Sequence, residues 1–221
     1  MNNRGPCPPG KPQAGGTPPC PSGCEPARAL PAQARSRTQP VARSAMWESA
    51  LPRAKQVQIL LLDVDGVLTD GTIIYTHDGG ESKGFNTKDG FGLRILQEAG
   101  VAVGLITARS SASVSRRAAD LQLKYVVQGT NNKMQAYEDI LLKTGLRPEQ
   151  TAYMGDDWLD LPLLNRVGLA ATPADGMAEV RSRVHFVTSR PGGHGAVREV
   201  CDLILEARGQ LASMFDMYLN P

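Results

Sequence analysis

From Leu51 onward, short apolar runs alternate with stretches of helical periodicity, the pattern of a mostly parallel sheet flanked by helices. Val57 to Leu62 reads as the first strand, so apolar that both of its faces are expected to be covered. Thr72 to Tyr75 and Ser82 to Phe85 flank His77-Asp78-Gly79-Gly80 and predict a β-hairpin. The hairpin breaks the strand-helix rhythm and is read as an insertion projecting from the sheet. A helix then runs from about Lys88 through Leu93, Leu96 and Gln97 to a glycine stop at Gly100. Val101 to Ile106 is a second buried strand, Ser110 or Ser111 caps a helix to about Leu121, and Lys124 to Val127 is a short strand. Another helix extends through about Lys143, followed by a strand over Thr151 to Met154. Val167 to Ala171 and Val184 to Val187 are weaker strands. A last helix, Ala196 to about Leu211, places Val197, Val200, Cys201, Ile204 and Leu205 on one face.

Composition divides the chain unevenly. Residues 1–50 hold ten of the sixteen prolines, three of the four cysteines, and six basic side chains against two acidic ones. We therefore expect a disordered Pro/Gly-rich extension over 1–50 and one folded domain over 51–221. Met46 lies just before the change and is a candidate start. The net charge of +2 comes from that extension, and the body carries slightly more acid than base. No basic stripe with interleaved aromatics supports nucleic-acid binding, and no apolar run is long enough to span a membrane. Cys7, Cys20 and Cys24 have no matching pair at zinc spacing, Cys201 reads as a core thiol, and reduced thiols point to a cytoplasmic protein.

The chemistry gathers where strands end. Asp63 and Asp65 follow the first strand, and ligand sites of such sheets lie beyond the carboxyl ends of the strands. Two carboxylates one residue apart resist burial without a cation or a proton between them, so they ask for a hard ion such as Mg²⁺. A calcium loop of the EF-hand kind does not fit, because Glu81 lies far outside its spacing. Thr107 follows the second strand, Lys133 the third, and Asp156, Asp157 and Asp160 the fourth. Alone, Thr107 could be a helix-entry residue, Lys133 a solvated charge, and the last acids a helix's first turn. Together they are the equipment of phosphoryl transfer, which needs cations and donors around the equatorial oxygens and a carboxylate able to attack phosphorus. His77, His185 and His194 show no catalytic spacing.

The order Asp63-x-Asp65, Thr107, Lys133 and Gly155-Asp156-Asp157-x-x-Asp160 resembles the haloacid dehalogenase superfamily. The stretches Asp63 to Gly71, Phe85 to Gly90 and Arg190 to Glu199 are similar, more narrowly, to its 3-deoxy-D-manno-octulosonate 8-phosphate phosphatase family. The resemblance covers about residues 55–212, and Ala108 stands where that family's loop has Gly. It implies an α/β, Rossmann-like haloacid dehalogenase fold with a β-hairpin insertion and no cap domain. It also implies a Mg²⁺-dependent phosphatase of a sugar-acid phosphate in lipopolysaccharide biosynthesis.

By that resemblance Asp63 is the nucleophile and a metal ligand, and Asp65 is the general acid/base, a metal ligand through its backbone oxygen, and a substrate contact. Asp156 completes the metal set, with Asp157 and Asp160 in support, and Thr107 and Lys133 hold the phosphoryl group. Asn86, Thr87, Lys88, Asp89, Gly90, Arg94, Arg109, Arg117 and Lys133 contact the substrate; several are cations suited to a carboxylate. The resemblance further implies a homotetramer in which the Thr72 to Phe85 hairpins pack together and neighbouring subunits close the pockets. Two alternatives stand beside this reading: a phosphatase of a related nine-carbon sugar-acid phosphate, and a non-catalytic tetramerisation module.

Overall fold

The structure is a computed structural model that describes residues 42–220. The expectations for residues 1–41, with Cys7, Cys20 and Cys24, lie outside the described residues. In chain order the strands are β1 (Ile59–Leu62), β2 (Ile74–Tyr75), β3 (Glu81–Ser82), β4 (Ala102–Ile106), β5 (Tyr125–Val127), β6 (Thr151–Met154), β7 (Leu169–Thr172) and β8 (Phe186–Val187). The helices are α1 (Ala45–Ala54), α2 (Thr87–Glu98), α3 (Ala112–Asp120), α4 (Lys133–Thr144), α5 (Leu161–Leu164), α6 (Ala178–Arg181), α7 (Ala196–Ala207) and α8 (Leu211–Leu219).

Six strands form one parallel sheet in the order β5-β4-β1-β6-β7-β8, and β2 and β3 pair separately as an antiparallel hairpin. The chain leaves β1 toward β4 and β5, then returns to its other side with β6, so the sheet changes direction at β1. That switch point is where a crevice opens beyond the strand ends. Register then aligns the chemistry. Leu62 lies opposite both Leu105 and Met154, which puts Asp63 level with Ile106 and Gly155. The Asp63 N–H is fixed by a 2.9 Å hydrogen bond to the Met154 carbonyl.

Side chains of β1 alternate between two cores, as the pleat requires. Leu60 and Leu62 join Val103, Leu105, Leu93, Leu96, Val200 and Ile204 under α1, α2 and α7. Ile59 and Leu61 join Ile106, Tyr137, Ile140, Tyr153 and Leu163 under α4 and α5. The sheet is therefore covered on both faces, which is why its central strands read as unbroken apolar runs.

Three features differ from the sequence reading. The expected domain boundary at residue 50 falls inside α1, whose Trp47, Ala50 and Ala54 are buried. Ser44 caps this helix by accepting from the Trp47 N–H at 3.1 Å, and Trp47 meets the Phe186 ring edge-on at 5.7 Å. The proline-rich composition hid a helix that begins only a few residues after Pro40. The expected last helix is two: Gly209, at φ +69°, ends α7 in a conformation that favours glycine, and α8 starts afresh. The hairpin is also shorter than expected, two residues to a strand, with Ile73, Ile74 and Tyr75 exposed on it. Ala108 takes no positive φ, so the loop after β4 accommodates it. Among the described residues no helix is long and apolar enough to cross a membrane.

Candidate active site

The loop after β1 carries Asp63 and Asp65 into a cavity of about 250 Å³. Asp65, Gly66, Thr107, Arg109, Lys133, Asp156 and Asp157 are among the residues that line it. All four predicted strand ends thus meet in one place.

Lys133, the first residue of α4, is almost fully buried and holds the site together. Its ammonium lies 2.7 Å from Asp63 Oδ2 and 2.7 Å from Asp160 Oδ1, and it donates to the Tyr153 hydroxyl at 3.3 Å. Burial would lower its pKa, but the Asp63 and Asp160 carboxylates prevail and hold the ammonium above its ordinary range. Thr107 is buried at the end of β4, where its N–H donates to the Val127 carbonyl at 3.0 Å and its hydroxyl accepts weakly from the Arg109 N–H at 3.4 Å.

Asp160 is wholly buried and fully used. It accepts from Lys133, from the Tyr153 hydroxyl at 2.6 Å, and from the Asp156 and Asp157 N–H groups at 3.0 and 3.3 Å. Asp157 is exposed, and its carboxylate accepts from the Trp158 N–H at 2.6 Å. Asp160 therefore shapes the loop after β6, while Asp156 projects into the cavity.

The electrostatics show what the site is suited to hold. Burial, followed by repulsion from Asp160, raises Asp63 to about 6 despite Lys133. Burial, then Asp160, Asp63 and Asp157, raises Asp156 to about 7. One oxygen each from Asp63, Asp156 and Asp160 lie within 4.8 Å of one another. Three clustered carboxylates face one ammonium, and no hydrogen-bond donor among the described residues reaches the Asp156 side chain. Gly66, at φ +80°, passes so close to that side chain that a Cβ there would overlap its carboxylate. This hard, acidic and under-compensated donor set fits a divalent cation held by Asp63 and Asp156.

The predicted substrate contacts divide. Arg109 lines the cavity, with its Nη2 2.5 Å from Glu81 Oε2. Asn86 caps α2 through the Lys88 N–H at 2.8 Å and donates to the Gly193 carbonyl at 3.2 Å; it borders a neighbouring 340 Å³ cavity with Asp70, Phe85 and His194. Arg117 donates to the Asn86 carbonyl at 3.1 Å and packs against Gly90, beneath the first turn of α2. Thr87 and Lys88 are exposed on that turn.

Two expected contacts are placed otherwise. Asp89 is buried, and its carboxylate accepts from the Gly195 and Arg198 N–H groups at 3.1 and 2.8 Å, so it caps α7. Arg94 lines a separate groove with Glu98, Asp120 and Lys124, away from Asp63.

Sequence reasoning overlooked three participants. Tyr153 hides within a strand as an apparent core aromatic. Glu81 and Lys83 sit on the hairpin, yet Lys83 is ion-paired with Asp65 and lies 3.0 Å from Glu81. The alternation of charge at Glu81 and Lys83 along an exposed-looking hairpin carried too little signal to separate them from ordinary surface charges.

No protein-family model matches the chain. It is 43% identical over 161 residues to the 3-deoxy-D-manno-octulosonate 8-phosphate phosphatase KdsC of Escherichia coli K12, covering 73% of this chain and 86% of that protein. Among solved structures, the Moraxella catarrhalis 3-deoxy-D-manno-octulosonate 8-phosphate phosphatase, in complex with magnesium ion, phosphate ion and KDO, is 38% identical with a TM-score of 0.75. That match covers 76% of this chain and 97% of the other. The Yersinia pestis 3-deoxy-D-manno-octulosonate 8-phosphate phosphatase is 41% identical with a TM-score of 0.74, over 75% of this chain and 89% of that one. With its doubly covered parallel sheet, its hairpin insertion and this degree of identity, the chain belongs to the 3-deoxy-D-manno-octulosonate 8-phosphate phosphatase family of the haloacid dehalogenase superfamily.

Proposed function

We propose that this chain is a Mg²⁺-dependent phosphatase that hydrolyses 3-deoxy-D-manno-octulosonate 8-phosphate to 3-deoxy-D-manno-octulosonate and phosphate, in lipopolysaccharide biosynthesis. The observation that carries the chemistry is the convergence of Asp63, Thr107, Lys133 and Asp156 on one cavity, with the Lys133 ammonium 2.7 Å from Asp63 Oδ2. The substrate follows from the relatives' names and from the magnesium, phosphate and KDO bound in the Moraxella protein.

In this reading the Asp63 carboxylate attacks phosphorus, forming an aspartyl-phosphate as the bond to the sugar oxygen breaks. Asp65 gives its proton to the leaving oxygen, then takes one from the water that opens the aspartyl-phosphate. Lys133 and the Thr107 hydroxyl stabilise the charge on the equatorial oxygens. Magnesium, when bound, would be held by Asp63, Asp156 and the Asp65 backbone oxygen and would offset negative charge on the phosphoryl group. Asp157 and Asp160 support the loop that presents Asp156. Arg109, Arg117, Asn86, Thr87, Lys88 and Gly90 serve the sugar acid. Asp89 acts by anchoring α2 to α7.

The working form in this proposal is a cytoplasmic homotetramer. An isolated two-stranded ribbon is marginal in water, and Ile73, Ile74 and Tyr75 give it an apolar surface suited to other copies of itself. A chain beginning at Ala42 is expected to keep its activity.

Phosphate release from a panel of sugar phosphates, with Mg²⁺, with EDTA and with Asp63→Asn, tests the function. Turnover of the octulosonate phosphate only with Mg²⁺ and intact Asp63 is expected. Preference for a nine-carbon sugar-acid phosphate would move the substrate. Inactivity of folded protein on every substrate would leave the tetramerisation module.

A further inference from the structure

We infer that Lys83, on the hairpin, is a positioning residue for the Asp65 carboxylate; this rests on the general acid/base role proposed for Asp65. Lys83 has a fully buried side chain, an expensive place for an ammonium unless it is paired. It is paired twice, with Asp65 Oδ1 and with Glu81 Oε1. Glu81 Oε2 in turn meets Arg109 Nη2 at 2.5 Å, and Arg109 Nε faces Asp65 Oδ2 at 3.9 Å. Asp65, Lys83, Glu81 and Arg109 thus form a closed ring of alternating charge, two acids and two cations, which cancels within itself.

The ring is asymmetric at Asp65. Lys83 is within hydrogen-bond distance of one oxygen, whereas Arg109 stands too far from the other to bond it and keeps a buried Nε with no hydrogen-bond partner. Among the described residues no other donor reaches the Asp65 side chain. Arg109 is therefore available to a substrate anion, and when it turns to one, Lys83 alone orients Asp65. The hairpin becomes part of the catalytic apparatus through this contact. Its β3 strand is tied to the body beside the ring by the Ser113 hydroxyl, which donates to the Glu81 carbonyl at 3.0 Å.

A misplaced acid matters most when the leaving oxygen needs a proton. The sugar oxygen of an alkyl ester such as the octulosonate 8-phosphate would leave as an alkoxide and depends on it, whereas p-nitrophenyl phosphate releases a stabilised phenolate and depends on it little. Lys83→Met is expected to lower kcat for the alkyl substrate at least about tenfold more than for p-nitrophenyl phosphate, with KM for the alkyl substrate nearly unchanged. Lys83→Arg should recover part of that loss, and the Mg²⁺-induced rise in melting temperature should survive in both variants. Equal losses on the two substrates, or loss of the Mg²⁺ response, would reduce Lys83 to a structural ion pair and overturn the inference. Wild-type protein separates this from the function itself. If it turns over simple alkyl phosphates but not the octulosonate phosphate, the substrate assignment fails and the same comparison is read on those alkyl esters. If it turns over nothing, both readings fail.

Discussion

The Lys133 ammonium stands 2.7 Å from Asp63 Oδ2, joining the first residue of α4 to the residue that follows β1. The same ammonium serves Asp160, so removing it takes away the cation that both carboxylates share. Lys133→Met should therefore cost stability as well as activity. Breaking one partner out of a buried charge pair costs about 3–5 kcal/mol. Urea titration should show that loss, and phosphate release by the folded fraction should fall about 100-fold or more. A variant of normal stability would mean that water or an ion replaces the ammonium without penalty.

The raised carboxyls give a pH signature in metal-free protein. Folded Asp63 and Asp156 titrate at about 6 and about 7 against an ordinary 3.8, so between those values the folded chain binds more protons than the unfolded one. Their contribution to stability is present at low pH and is lost as pH rises through about 6 and about 7. Melting temperature in EDTA should thus fall from pH 5 to pH 8, and Asp156→Asn should flatten that fall and melt higher than wild type at pH 8. Mg²⁺ should raise the wild-type melting temperature at pH 8 and leave Asp156→Asn almost unmoved. Parallel pH profiles for the two proteins would contradict this assignment.

The β1 run and the four strand ends were legible because each depends on local pattern: an apolar strand, then a polar residue at its carboxyl end. Parallel register does the remaining work, since Leu62 opposite Leu105 and Met154 forces those ends together. Asp89 and Lys83 were not legible in the same way. Asp89 lies beside Lys88 in sequence, yet its fate is decided by the α7 N-terminus more than a hundred positions later. The Lys83 side chain is covered only because the hairpin folds back over Asp65. α1 was hidden by composition, and its amphipathic face becomes clear only against Phe186 and Glu206.

The placement of Asp89 has a consequence for mutagenesis. Asp89→Ala removes the acceptor for two N–H groups at the start of α7 and should cost about 0.5–2 kcal/mol, the usual worth of a cap. For a domain of this size about 1 kcal/mol lowers the melting temperature by roughly 2–4 °C. Asp89→Asn, which keeps one acceptor oxygen, should recover most of it. Steady-state kinetics well below the transition should show no selective rise in KM. A large KM effect at unchanged stability would return Asp89 to the substrate.

Gly66 tests how tightly the site is built. Its φ of +80° is strained for any other residue, and a Cβ would overlap the Asp156 carboxylate. Gly66→Ala should therefore cost about 1–2 kcal/mol in backbone strain alone. The second effect is chemical: Asp156 must move away from Asp63 to make room, so the two carboxylates no longer converge on one cation. Calorimetric titration of Mg²⁺ should show affinity reduced at least about tenfold, the range seen when the groups that orient ligands are disturbed. Strain and displacement can be separated by a double mutant. If Gly66 acts through Asp156, adding Gly66→Ala to Asp156→Asn should lower Mg²⁺ affinity little further, while the strain cost persists in urea titration. Full additivity in metal binding would show that Gly66 matters to the loop and not to the ligand it touches.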